Sequence, residues 1–375
     1  MDSQYTLRLE KIEAVLRAAL PENPDRSWTA RAFLIPDLSV PPDSLLALTA
    51  PGRDLLGRGG KRWRPLLMTL VCESLGGGDG ALSLVPLVEF PHNASLIHDD
   101  IEDNSGERRG KPAIHLVHGT DTAINGACFL YFFPLVVLNA WDAPAERKNR
   151  VYALWGEFMR RLHLGQAMDI SWHRDFSSLP SLEEYGEMCR LKTGVLARLA
   201  AALGVYAAGN MVHSGDGTGH LDAEDALADK LGQAAEKLGV GFQILDDVKN
   251  LTTGNPGKKR GDDIVEGKKS LPVLLYLRRK KGRGEFVARC FSAARAGGTE
   301  AREVEELIAE LDSAGVLREA REQGTRLITE ARDLFLGLPF TGFAEHAEGR
   351  NLLAALVPSI GAGFSMGNTE NGSYG

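Results

Sequence analysis

The apolar positions along the chain recur at helical spacing almost throughout. "LRLEKIEAVLRAAL" (7–20), "LARLAAALGVYAAG" (196–209), "LADKLGQAAEKLGVGFQILDDV" (227–248) and "VEELIAELDSAGVLREAREQGTRLITEARDLF" (304–335) place apolar residues at i, i+3 and i+4, the period of one helix face. Sustained strand alternation is missing. Gly and Pro gather between these segments, in "PENPD", "LGGGDG", "TTGNPGKKRG" and "ARAGGTE", and read as loops. The pattern predicts an all-α fold, a single large helical bundle around a central cavity, over residues 1–345. The closing "GFSMGNTENGSYG" carries too little apolar surface to order itself, so 346–375 is expected to be a C-terminal segment that ends in a loose tail.

Composition narrows the possibilities. The chain has 375 residues, 43% hydrophobic and 25% charged, enough for a sizeable core. A net charge of −7 with no dominating basic block argues against nucleic-acid binding, so any anionic ligand must be held locally. Cys72, Cys128, Cys189 and Cys290 form no CxxC pair, which excludes a disulfide framework or zinc site and fits a cytoplasmic setting. The amino terminus mixes acids and bases, unlike a signal or transit peptide. No stretch is expected to reach the ~20 apolar residues that span a bilayer; the nearest, "ACFLYFFPLVVL" (127–138), reads as a buried helix.

Two stretches echo each other: "SLIHDDIEDN" (95–104) and "FQILDDVKNL" (242–251). Each has an apolar run, paired aspartates and a polar group three or four positions on. On a helix, Asp99, Asp100 and Asp103 converge, as do Asp246, Asp247 and Asn250. Carboxylates at the mouth of a bundle repel one another unless cations neutralise them. Oxygen-only donors suit a hard cation such as Mg²⁺, which keeps waters and bridges carboxylates to phosphates. Arg108 and Arg109 follow the first cluster and can complete the neutralisation. The bland alternative for any one such cluster is a solvated helix end.

These residues resemble the trans-type polyprenyl diphosphate synthase family. "HNASLIHDDIEDNSGERRGKPAIH" (92–115) is similar to its first aspartate-rich motif, and "GGKRWRP" (59–65), "GQAMDI" (165–170), "KTG" (192–194), "FQILDDVKN" (242–250) and "KKRGDDIVEGKKSLP" (258–272) follow in the family's order. The resemblance covers roughly residues 50 to 275. It implies the isoprenoid-synthase type of bundle, and prenyl transfer between isopentenyl diphosphate and an allylic diphosphate (dimethylallyl, geranyl or farnesyl). It further implies three Mg²⁺ ions, with Asp99 and Asp103 facing two of them, Asp246 facing the third, and Asp100 and Asp247 in support.

By the same resemblance, Arg108, Lys192, Lys259 and Lys268 match contacts to the allylic diphosphate, and Lys61, Arg64, His92 and Arg109 match the isopentenyl diphosphate site. Lys61 and Arg64 also flank a helix start at Pro65, and His92 alone reads equally as a structural histidine. Thr193 and Gln243 resemble residues that aim oxygen dipoles at a developing cation. The released diphosphate takes the final proton in this reading, so no side-chain base is assigned. A homodimer is the family's implication.

Asn250 stands where the commonest pattern has a third aspartate, as it does in geranylgeranyl diphosphate synthases of the eukaryotic type. Ala94 and Ser95, five and four positions before Asp99, are too small to stop a short chain. In "INGACFLYFF" (124–133), Phe129, Tyr131, Phe132 and Phe133 could form a floor, and Tyr131 with Phe132 resembles the subfamily's pair; the competing reading is ordinary packing. A twenty-carbon product is favoured, with longer chains open. "LRRKKGRGE" (277–285) reads as a basic helix end. Beside the elongating enzyme, a class I terpene cyclase and a silent partner subunit remain as alternatives.

Overall fold

The computed structural model describes residues 2–174, 179–209, 220–254, 259–337 and 347–362. Five helices lead to the first aspartate cluster: α1 (Asp2–Ala19), α2 (Arg26–Phe33), α3 (Pro42–Gly57), α4 (Trp63–Ser74) and α5 (Pro86–Glu102). A two-residue hairpin, β1 (Glu107–Arg108) with β2 (Lys111–Pro112), follows. Then come α6 (Ile114–His118), α7 (Thr120–Phe132), α8 (Pro134–Ala140), α9 (Ala145–Arg174) and α10 (Leu182–Cys189), which runs through a π-helical turn (Arg190–Gly194) into α11 (Val195–Ala208). The rest is α12 (His220–Thr252), α13 (Asp262–Glu266), α14 (Leu271–Arg279), α15 (Gly284–Gly297), α16 (Arg302–Ser313), α17 (Val316–Leu336) and α18 (Ala347–Gly361). The all-α expectation holds: the hairpin is the only strand structure among the described residues.

Helix ends follow local chemistry. Pro sits in the first turn of α3, α5, α8 and α14, where its missing N–H costs nothing. Ser181 and Glu184 form a reciprocal cap on α10. The periodic stretch 304–335 is two helices rather than one, because Gly315 adopts φ 71 and ends the pattern between α16 and α17.

Helix α11 is the central post. From Val195 to Val205 its Leu, Ala and Val side chains are buried all round, and Gly204 lets the backbone approach α4, since a Cβ there would lie 2.6 Å from the Met68 carbonyl oxygen. α12 packs along α11 and α17, and α18 lies against α4 and α17. The Tyr5 hydroxyl donates to the Leu352 carbonyl at 2.7 Å, tying α18 to the first helix. The expected tail, 363–375, lies outside the described residues.

One expectation is corrected. The helical stretches Thr120–Ala140 and Leu182–Ala208 are long and apolar enough to cross a membrane by length and composition. The helical stretch Thr120–Ala140 extends the apolar run 127–138 in both directions. An 18-residue apolar window of the second stretch is 72% buried in the bundle; that of the first is 44% buried, and this helix keeps an apolar face outward, with Phe132 69% exposed.

Candidate active site

Five elements converge at the end of the bundle where α5 and α9 finish. Lys192, on the π-helical turn, donates to Asp99 at 3.0 Å and also reaches Asp169 on α9. Gln166 Nε2, one helix turn back from Asp169, donates to Asp99 at 3.1 Å and to Glu102 at 2.6 Å. Lys268, from the loop after α13, stands 3.2 Å from Asp103 and 2.6 Å from Glu266. His173 spans Asp103 and Asp169 at 3.4 and 2.8 Å. Asp100 is fully buried and receives the Arg108 Nε at 2.9 Å. The Arg109–Gly110 turn of the hairpin, with positive φ at both residues, brings Arg108 back over the helix end.

Although burial opposes the charged form, Asp169 and Asp99 hold the Lys192 ammonium above its ordinary range, and Glu266, Asp103 and Asp99 do the same for Lys268. Against burial, Asp103 and Asp169 raise His173 to about 9. The first cluster is thus a mesh of alternating charges.

Gly165 makes the mesh possible: a Cβ there would fall 2.4 Å from the Lys192 amide nitrogen. The sequence showed "GQAMDI" as a motif without separating the roles within it. Gln166 and Asp169, together with His173, were missed because their partner Asp99 is remote in the chain.

The second cluster has other neighbours. Asp247 is buried and accepts from the Tyr185 hydroxyl at 2.7 Å and from Gln243 Nε2 at 2.8 Å. Burial outweighs these bonds and raises its carboxyl above the ordinary range. Because Gln243 commits its NH₂ group to Asp247, its oxygen must face Thr193, whose hydroxyl donates to it at 2.8 Å. The Thr193 lone pairs are left to face elsewhere. Asn250 is turned into the fold: its Oδ1 accepts the Asp263 backbone N–H at 3.2 Å, so the third position of this cluster anchors α13. The π-helical turn joins the two clusters, with Lys192 touching the first and Thr193 the second. A Cβ on Gly239 of α12 would come within 2.7 Å of the Gly194 Cα, so this approach needs glycines.

A separate cationic pocket lies around the start of α4. The Lys61 ammonium sits 5.2 Å over the Phe242 ring, next in sequence to Gln243, and Arg64 stacks 4.4 Å over Trp63. Arg64 Nη1 approaches His92 Nε2 at 3.5 Å. Its buried Nε has no hydrogen-bond partner among the described residues, a donor that awaits an acceptor. Burial, with Glu89 opposing, lowers Arg64 to about 10. Burial and the charges of Arg64 and Arg109 push His92 well below its ordinary range, so its imidazole is neutral.

Four expected residues are placed differently. Lys259 stays out of the cluster: its side chain is 74% exposed and its ionic neighbour is Glu300 at 3.9 Å. Phe132 is 69% exposed while Tyr131 is buried, since adjacent helix positions point about 100° apart; the pair does not line one wall. Phe133 and Phe129, also expected at the floor, stack on each other at 4.9 Å and on Phe90 and Phe33 in the core. Tyr131 stacks on His98, the residue before Asp99, at 5.7 Å and meets His163 of α9 at 4.9 Å. Ala94 is fully buried one turn away. A cavity of about 810 Å³, lined by Trp28, Phe133, Trp141, Arg147 and Tyr206 among others, includes Phe133 of the expected floor and none of the aspartates or cations expected at the site.

Among the described residues no three His, Cys, Asp or Glu side chains stand together at ligand distance for a metal. Asp103 Oδ2 is nevertheless buried without a hydrogen bond, meeting Lys268 only as an ion pair. A buried carboxylate oxygen of this kind, in an oxygen-only cluster, fits a hard cation that takes its remaining ligands from water or phosphate.

Residues 46–311 match the polyprenyl synthetase family model. The chain belongs to that family. It is 30% identical over 337 residues to a geranylfarnesyl diphosphate synthase of Aeropyrum pernix, covering 88% of this chain and 97% of that protein. A geranylgeranyl pyrophosphate synthetase from Pyrococcus horikoshii superposes with a TM-score of 0.74 at 26% identity, over 95% of this chain and 97% of that one. A polyprenyl synthase from Caulobacter crescentus, solved with calcium and isoprenyl diphosphate, gives 0.71 at 25% identity over 94% and 96%. As a trans-prenyl diphosphate synthase by family, the protein is a prenyltransferase, and the bundle is the isoprenoid-synthase type.

Proposed function

We propose that this polyprenyl synthetase condenses an allylic diphosphate with isopentenyl diphosphate and extends an all-trans chain to twenty carbons. The observation that carries this reading is the π-helical turn, which ties both aspartate clusters into one mouth beside a separate cationic pocket. Two diphosphates call for two such places.

Asp99, Asp103 and Asp246 would hold divalent cations, with Asp100 and Asp247 fixing the groups around them. When bound, Mg²⁺ supplies Lewis acidity that neutralises the departing diphosphate. Lys192, Lys268 and Arg108 already stand at that mouth and bind the allylic diphosphate. Thr193, oriented by Gln243 and Asp247, presents an oxygen dipole to the allylic carbon as positive charge develops there. Lys61, Arg64, His92 and Arg109 retain the diphosphate of the second substrate while its double bond attacks; the neutral His92 can donate or accept without adding charge. Buried walls exclude water, which would otherwise capture the cation.

Product length is assigned to Tyr131, backed by His98 and His163, as the obstruction below the small residues Ala94 and Ser95. The exposed Ile124, Phe132 and Leu164 on α7 and α9 are assigned to a second copy of the chain, which accounts for the apolar character of Thr120–Ala140. The test is incubation with labelled isopentenyl diphosphate, each allylic primer and Mg²⁺, followed by product chromatography. A twenty-carbon linear diphosphate supports the reading. A cyclic hydrocarbon formed without isopentenyl incorporation, or no product, overturns it, and a twenty-five-carbon product overturns the length assignment alone.

A further inference from the structure

Beside the cationic pocket at the start of α4 runs a buried chain of polar side chains that the reaction described above does not use. Arg62 lies between Lys61 and Arg64 in sequence, yet its guanidinium is spent inward. Nε donates to Glu13 at 2.7 Å, Nη1 to Glu89 at 2.8 Å and Nη2 to the Leu56 carbonyl at 2.7 Å. Its backbone holds φ 46, left-handed and unfavourable for a residue with a Cβ, and buried ion pairs secure it there.

Glu89 passes this anchoring on. Its Oε1 accepts from Asn93 Nδ2 at 3.0 Å, and the same Nδ2 donates to the Glu89 carbonyl at 2.8 Å. Both bonds fix the orientation of the Asn93 amide, so Oδ1 faces the opposite way, where Arg109 Nη1 donates to it at 3.3 Å. A flipped amide would set donors against a cation. Arg109 Nη1 also donates to the Leu55 carbonyl at 2.8 Å and to the Gly59 carbonyl. One corner of the guanidinium is thereby pinned, while Nε and Nη2 have no partner among the described residues. Gly60, at φ 147, leaves the room required: a Cβ there would lie 3.0 Å from Arg62 Nη1 and 3.1 Å from Arg109 Nη2. Burial and repulsion from Arg62 lower Arg109 to about 10, and Glu89 opposes them.

We infer that Asn93, fixed by the Arg62–Glu89 ion pair, is a positioning residue that aims Arg109 and so sets the affinity for isopentenyl diphosphate. This rests on the functional reading given above. Asn93 touches no reacting atom; it acts through Arg109, whose free N–H groups bind the diphosphate.

Steady-state kinetics on the purified full chain test the relay. Asn93→Ala is expected to raise the apparent KM for isopentenyl diphosphate about tenfold, the loss of one charge-assisted contact. The KM for the allylic primer and kcat should move less than about twofold. Glu89→Gln keeps an acceptor for Asn93 Nδ2, so it should raise the same KM only about threefold. Should Asn93→Ala fail to fold, Asn93→Ser, whose hydroxyl is too short to reach Arg109, replaces it with the same expectation. An unchanged KM in an active variant overturns the relay, as does a parallel shift of both KM values and kcat with a lower Tm, which marks packing alone. An equal rise in Glu89→Gln overturns the orienting role in favour of charge. No isopentenyl-dependent product from the wild type overturns the functional reading and this inference with it.

Discussion

Around Asp99, Asp100 and Asp103 the balancing groups are cations, Lys192, Arg108 and Lys268, whereas around Asp247 they are neutral donors, Tyr185 and Gln243. The two aspartate pairs are spelled alike and end in different electrostatics. Against burial, Lys268 and His173 hold the Asp103 carboxyl below its ordinary range, while burial raises Asp247 toward the neutral form. Repetition of a motif therefore fixes the kind of donor and leaves its charge state to the neighbours that the fold delivers.

The largest effect expected from this comparison is on the reaction itself. Both clusters should be indispensable despite their different surroundings. Asp99→Ala and Asp246→Ala should each lower kcat by about a thousandfold or more, as several kcal/mol of transition-state stabilisation is lost. A chelator should abolish turnover, and full activity in its presence would break the shared role of the clusters.

Stability should separate the clusters. Asp100→Asn removes the charge that Arg108 holds most closely, leaving it only Asp99 at 3.7 Å as an ion pair, and is expected to cost about 3 kcal/mol. Asp247→Asn meets a hydroxyl that can rotate to accept from the new amide, and should cost about 1 kcal/mol. Urea midpoints of the two variants measure the gap, and equal losses would show that the surroundings do not differ in the way described.

The cationic pocket gives a smaller effect. Arg64→Ala should raise the KM for isopentenyl diphosphate by roughly tenfold to a hundredfold, or about 1.5–3 kcal/mol, with little change for the allylic primer. Equal changes for both substrates would merge the pocket with the aspartate mouth.

The smallest energies concern product length. Tyr131→Ala opens space into which each further methylene gains about 0.8 kcal/mol, so products should lengthen past twenty carbons. Phe132→Ala, outward on the same helix, should leave the distribution as it was. Chromatography of both product sets checks the contrast, and lengthening by Phe132→Ala alone would reverse the assignment.

The helices were legible because burial of an apolar face imposes its period on the sequence. Asp99, Asp103 and Lys192 were legible as motif members, but their mutual contacts were not. Gln166, Asp169 and His173 were overlooked since each becomes part of the site only through a partner far along the chain. Phe132 misled for the converse reason: an aromatic beside Tyr131 in sequence points about 100° away on the helix. Lys259 and Asn250 also read as site members, yet one lies at the exposed surface and the other holds a backbone N–H of Asp263.

By itself, the sequence determined the helical architecture, the family, the oxygen-only donor chemistry and the two sets of cations. Those properties reside in residue type and short-range spacing, which chain order records directly. Tertiary structure alone decided that Lys192 and Thr193 join the two clusters through one turn, that Arg62 is committed to Glu13 and Glu89 while Arg109 is held at Asn93, and that Asp247 takes its hydrogen bonds from the neutral Tyr185 and Gln243. These depend on helices brought side by side by packing, with Gly165 and Gly239 allowing the approach, and on burial, which shifts charge by removing water.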